Sequence, residues 1–502
     1  MRARKWVTRV LCIIFLGTIT TDIVKSQYYE EFEKKVTEFT LDNGLHFIII
    51  ERHDAPVASF YTQVNVGAID EPIGNTGIAH IFEHLAFKGD YYVGTTNWED
   101  EKKVIDKMDE VYKAWLYESY APTPDTAFMA EKWDEFQALQ DDAKQYVVNN
   151  EFSQIVDRNG GTGMNASTRW DFTDYFYSLP SNKAELWFAL EAGRFMQPTY
   201  REFYVEKEVV REERRMRTES SPIGRLVEDF FAVAFSAHPY GRPIVGWNSD
   251  ITASTIEDAQ NFYEKYYVPS NITFGIAGDV DPDRMKELAE EYFGDMQGKG
   301  RIAPPVTTIE PEQRGERRVT IEGNSQPLMI VGYHTVAGNH PDYEPLIVLG
   351  RILSTGRTSI LYKKLVEEEQ LALQIQNVEG IPGTRNSGLF LSLMLPNSGV
   401  ELDTLEHAVY AEFESIKEGS ITQEQLDRVT TNLRAGIIRG LANNTGLASQ
   451  FVNTHVASGS WKDVFNQLDR YNAVSLEDVQ RVAAQYLIKK NRTVARTEKV
   501  DS

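Results

Sequence analysis

"TIEDAQNFYEKYYVPSNITFGIAGDVD", Thr255 to Asp281, returns 220 residues later as "SLEDVQRVAAQYLIKKNRTVARTEKVD", Ser475 to Asp501. The two stretches align without a gap over 27 positions and share eight residues, namely Glu, Asp, Gln, Tyr, Asn, Thr, Val and Asp. Each reads as a Thr or Ser N-cap, an amphipathic helix closing on an aromatic residue, a polar turn and a strand. A gapless register over that length argues for an internal duplication. Between the copies, "QGKGRIAPPVTTIEPEQRGERR" (297–318) carries Gly, paired Pro and charge without apolar periodicity, which predicts a linker.

Working outward, the chain divides into a first half over 34–296 and a second over 319–502. Strands such as "LHFIIIERH", "VASFYTQVNVGA" and "LMIVGYHTVAG" alternate with helical segments in both. That pattern predicts a layered α/β (α+β) unit used twice. One stretch has no counterpart in the second half. From 97 to 149 the chain is acidic and helical in pattern, broken once at "APTPD", so two helices joined at Pro122 and Pro124 form an inserted hairpin. Its default reading is a solvated decoration.

Composition bounds the function. The 42% hydrophobic and 25% charged fractions are those of a soluble globular protein. Residues 1–26 differ: "MRARKWVTR" is basic, and "VLCIIFLGTI" (Val10 to Ile19) is an apolar run of ten. This is the layout of a cleaved secretory signal and predicts an extracytoplasmic, periplasmic or secreted protein. The one cysteine, Cys12, lies inside it, so the mature chain has no thiol for a disulfide, nucleophile or metal. Without residues 1–26 the formal charge goes from −22 to −26, with 47 Lys and Arg against 73 Asp and Glu. Such a surface disfavours nucleic acid and anionic membrane as partners. No segment after Gln27 is long and apolar enough to span a bilayer.

The chemistry concentrates at "HIFEHLAFKGD", His80 to Asp90. The stretch predicts a helix with Thr76 as N-cap and a stop near Gly89. Residues four apart share a helix face, so His80 and His84 can offer their imidazoles to one cation while Glu83 reaches a water on it. Two imidazoles and a carboxylate suit zinc with one open position. Of the nine histidines the other seven are scattered, so the third ligand is expected to be acidic. The richest source is "VEKEVVREERRMRTE", Val205 to Glu219, where spacing leaves Glu206, Glu208, Glu212 and Glu213 all open.

His80–Ile–Phe–Glu83–His84 resembles the inverted zinc motif of the pitrilysin/insulysin metallopeptidases, and "HLAFKG" resembles their mitochondrial processing peptidase branch. "GMNASTRWDFTDYFYSLP", "EKEVVREERR", "AHPYGRPIVGW" and "AGDVDP" resemble further signatures of that family, in its order. The resemblance implies two homologous halves in a clam-like enclosure and one zinc ion per chain. It implies His80, His84 and Glu212 as ligands, Glu83 as general base, and Asn165 and Ala166 as the edge-strand pair that holds substrate backbone. It also implies peptides as substrates. Two departures stand out. The gap from His84 to Glu212 is longer than usual by about the inserted hairpin. In "LVEEEQLAL", Val366 and Leu373 stand where self-sufficient relatives carry an Arg and a Tyr, with Arg357 and Tyr362 as alternatives nearby. "IVLGRILSTG" lies where the zinc motif lies in the first half. The expectation is therefore a zinc endopeptidase for short or unfolded peptides, the catalytic subunit of a heterodimer whose homologous partner supplies the Arg/Tyr pair. A structural subunit of the same fold, without activity, is the rival.

Overall fold

The computed structural model describes residues 32–323 and 326–498. The expected signal segment lies outside the described residues. Among the described residues eleven strands form two sheets. The first contains β1 (Val36–Thr40), β2 (His46–Glu51), β3 (Val57–Val64), β4 (Thr162–Thr168), β5 (Thr173–Pro180) and β6 (Ile272–Gly278), in spatial order β1-β2-β6-β3-β5-β4. The second contains β7 (Arg317–Glu322), β8 (Met329–His334), β9 (Ala372–Ile381), β10 (Leu389–Pro396) and β11 (Arg492–Glu498), in order β7-β11-β8-β10-β9. Apart from β1 the two orders are the same, and each has one parallel pair, β2 with β6 and β7 with β11.

The repeated stretch keeps the same cap and turn contacts in both copies. Helices Ile256–Tyr266 and Leu476–Tyr486 both open on a capping box, Thr255 with Asp258 and Ser475 with Asp478. In the turns that follow, Asn271 Nδ2 donates to the carbonyls of Asn65 and Tyr266, and Asn491 Nδ2 to those of His334 and Tyr486.

The run "HFIIIE" in β2 is apolar on both faces because both are covered. Phe47 and Ile49 enter the core of the first half, while Ile48 and Ile50 pack against Leu447, Phe451 and Val452 of helix Asn444–Ser458, from the second half. The exchange is reciprocal. Met329 and Val331 face the core of the second half, and Ile330 meets Phe230 and Phe231 of helix Pro222–Ala234, from the first. Each half thus lends a helix to the other's sheet. Glycine sits where a lent helix comes closest: a Cβ at Gly275 would meet Val452, and one at Gly332 would meet Phe230. Arg385 adds a polar tie, its guanidinium 3.2 Å from Asp70 and 2.8 Å from Asn65 Oδ1.

Among the described residues no helix is long and apolar enough to cross a membrane. The inserted stretch forms two helices, Trp98–Ser119 and Thr126–Ala143, but it is no solvated decoration. Tyr112 and Phe136 pack on Tyr204, and Glu101 pairs with the buried Arg201 at 2.7 Å. The hairpin is welded to the elements that carry the site.

Candidate active site

Helix Ile78–Leu85 presents His80 and His84 on one face. Its N-cap is Gly77 at φ 91, not Thr76, whose hydroxyl bonds Asp250 at 2.8 Å instead. The cap comes from upstream: the Glu71 carboxylate accepts from the backbone N–H of Gly77 and of Ala79, both at 2.9 Å. Those N–H groups are orphan donors of the first turn. Burial nevertheless pushes Glu71 up to about 8.

The third acidic group comes from helix Phe203–Arg214. Glu213 Oε2 lies 3.5 Å from His80 Nε2 and 3.8 Å from His84 Nε2, and all three atoms fall within 4.8 Å of one another. The rings of His80 and His84 stand at 81°, centroids 4.9 Å apart, with the Nε2 atom of each near the same Glu213 oxygen. Glu212, the expected ligand, is elsewhere. It is half exposed on the outer face of the helix and pairs with Arg215 at 2.5 Å. Helix geometry gives the reason: 213 is seven residues, nearly two full turns, after the inward-facing Glu206, whereas 212 is turned away by about 100°.

The remaining atoms are held from behind. Glu206 Oε2 bonds His84 Nδ1 at 2.9 Å, which leaves Nε2 for the cluster, and Lys88 Nζ lies 2.6 Å from Glu206 Oε1. Arg217 Nη2 sits 2.7 Å from Glu213 Oε1. Burial, with the charges of His84 and Arg217, lowers His80 to about 3, so its imidazole is neutral. Burial works against charge on His84, but its hydrogen bond to Glu206 and the carboxylates around it outweigh that and raise it. Burial raises Glu83, and Thr168 Oγ1 on β4 donates to its Oε2 at 2.6 Å. Two neutral-capable imidazole nitrogens and one carboxylate oxygen, converging and supported by a second carboxylate, fit a zinc ion. Sequence reasoning left Glu206 undecided among four glutamates. It gave no notice of Thr168 or Glu71.

β4 runs beside this cluster as the edge of the first sheet, paired only with β5 among the described strands. Asn165 is exposed on it and Ala166 half-buried, opposite Phe176 and Tyr175. In the second half, helix Tyr343–Ser354 packs on β9 as the motif helix packs on β4. It carries Ile347, Gly350 and Arg351 where the motif has His80, Glu83 and His84. The Glu379 carboxylate fills the place that a side chain at 350 would take. Val366 packs against the second core, and Leu373 is 61% exposed on β9.

Comparison with known proteins points to a family of zinc peptidases. Residues 47–111 match the family described as insulinase (peptidase family M16), and residues 254–433 match the peptidase M16 inactive domain. The chain is 28% identical over 471 residues to a zinc protease PqqE of Helicobacter pylori, covering 92% of each chain. It is 23% identical to a probable mitochondrial-processing peptidase subunit beta of Schizosaccharomyces pombe, covering 92% of this chain and 91% of that one. The crystal structure of a protease from Helicobacter pylori superposes with a TM-score of 0.77 at 26% identity, over 92% of this chain and 99% of that one.

Proposed function

Starting from this chain's membership of the insulinase (M16) family of peptidases, we propose that it is a zinc-dependent endopeptidase acting on short or unfolded peptides. The observation that carries the reading is the convergence of His80 Nε2, His84 Nε2 and Glu213 Oε2 beside Glu83. These three side chains hold one zinc ion per chain, with Glu213 in the role first assigned to Glu212. Zinc in such a site acidifies a bound water and polarises a carbonyl. Glu83 takes the proton and returns it to the leaving amine, and Thr168 keeps its carboxylate aimed. The open edge of β4 at Asn165 and Ala166 lines up an extended peptide by backbone hydrogen bonds, which is why unstructured substrates suit it.

A partner of the same fold completes the site in this reading. The second half offers neither a metal set at helix Tyr343–Ser354 nor an Arg/Tyr pair at Val366 and Leu373. The signal-like segment at 1–26 assigns the work to the periplasm or outside the cell. The test is cleavage of a pool of unstructured peptides by the zinc-loaded chain, alone and with a homologous subunit added. Chelator-sensitive cleavage, strongest in the pair, is expected. Full activity of the chain alone would remove the partner from the account, and a zinc-loaded pair without any activity would favour a structural subunit.

A further inference from the structure

One histidine of the second half joins a cluster that the proposed reaction does not use. Glu38 on β1, His46 at the start of β2 and His455 on helix Asn444–Ser458 bring a carboxylate oxygen and two ring nitrogens within 4.8 Å of one another. Glu38 Oε1 lies 3.1 Å from His46 Nε2 and 3.4 Å from His455 Nδ1. Ligands bound at about 2.0–2.1 Å to a tetrahedral ion stand about 3.3 Å apart, so both separations suit groups sharing one cation.

Two further features point the same way. Both nitrogens are buried and, the shared Glu38 oxygen apart, neither has a polar partner, a costly arrangement for two rings that are not both charged unless a cation joins them. The other atoms of the set are already held: Thr40 Oγ1 and His46 Nδ1 share a hydrogen bond of 2.9 Å, and Trp461 Nε1 donates to Glu38 Oε2 at 3.0 Å. Such outer contacts orient metal ligands and leave the inner atoms free. Burial and the neighbouring His455 lower His46, and burial lowers His455, so both rings are neutral near pH 7 with lone pairs available.

We propose that Glu38, His46 and His455 form a second metal site, suited to a zinc-type divalent transition ion, that bolts the first sheet to the helix lent by the second half. It shares no residue with the His80 cluster. The two rings are stacked, centroids 4.1 Å apart and planes 14° apart, so binding turns one ring about its Cβ–Cγ bond until the lone pairs converge. No hydrogen bond at His455 Nδ1 resists that turn. The Glu38 side chain, 36% exposed, gives the ion a way in and a water its fourth position.

The test counts zinc on the full chain after chelator stripping, reloading with zinc alone and desalting. Two equivalents are expected on the natural sequence, one on His455→Ala and one on His80→Ala/His84→Ala. Zinc should raise the Tm of His80→Ala/His84→Ala, and that rise should vanish when His455→Ala is added. Glu38→Gln, at a partly exposed position, repeats the test should His455→Ala fail to fold. A count left unchanged by both His455→Ala and Glu38→Gln overturns the proposal. A count left unchanged by His80→Ala/His84→Ala would instead unseat the active-site reading and leave this one standing.

Discussion

In the proposed reaction a carboxylate that takes and returns a proton would stand beside the ion without binding it, the part proposed for Glu83, whose carboxylate Thr168 holds by a hydrogen bond. Glu83→Gln is expected to keep zinc and to lower turnover by about 10²- to 10⁴-fold, read from metal content and peptide cleavage together. Glu213→Ala should lose zinc, whereas Glu212→Ala, which removes only a surface pair with Arg215, should bind it as before. Equilibrium zinc titration separates the two. Glu206→Gln should weaken zinc by about 10- to 100-fold, because the support behind His84 is lost while all three ligands remain. The motif itself was legible, since four-residue spacing fixes His80 and His84 on one face. Glu213, the third ligand of the proposed site, was not. Adjacent Val209 and Val210 leave the phase of the glutamate helix undecided: Val210 is buried and Val209 is 44% exposed, a distinction that tertiary packing makes and composition does not.

At the scale of elements, the inserted hairpin is the part whose role the sequence hid. Its charges read as a solvated face, yet its inner side meets the glutamate helix through Tyr112 and Asp109, and Arg201 just before that helix through Glu101. Lys207, next to Glu206 and almost wholly buried, donates to Tyr112 Oη at 2.9 Å and to the carbonyls of Thr252 and Ser254 at 2.9 and 2.8 Å. Lys207→Met takes the Lys207 donor from the Ser254 carbonyl and leaves the Thr252 carbonyl with Tyr112 Oη alone, and is expected to cost about 1–3 kcal/mol in urea unfolding. Burial holds Lys207 down to about 7, from an ordinary 10.5. Between those values the unfolded chain binds more protons at this position than the folded one, so its contribution to stability rises with pH. The gap between the natural protein and Lys207→Met should therefore widen from pH 7 to pH 9.5. A gap that stays flat over that range would show that Lys207 remains charged in its aromatic setting. The two helices of the hairpin were readable from their periodicity and the "APTPD" break. Their partners lie 95 to 147 residues away in sequence, beyond any local pattern.

The whole molecule is two similar units that cover each other's sheets. The repeat at Thr255 and Ser475 disclosed the duplication, because caps, turn and strand are local signals. The exchange of helices was not disclosed; the clue was the unbroken run Phe47 to Ile50, which demands cover on both faces without saying from where. Phe230 is fully buried against the second sheet, and Phe230→Ala should cost about 3–5 kcal/mol while both halves still unfold in one transition by calorimetry. Two separate transitions would mean that the lent helices do not couple the halves. The most direct test of the central claim pairs two proteins, the natural chain and Glu83→Gln, each zinc-loaded and isolated with any subunit that accompanies it. Both are given unstructured peptides, and products are identified by mass spectrometry. The account requires internal peptide-bond cleavage by the first and almost none by the second, at equal zinc content. Equal cleavage by both, or none by either, would contradict it.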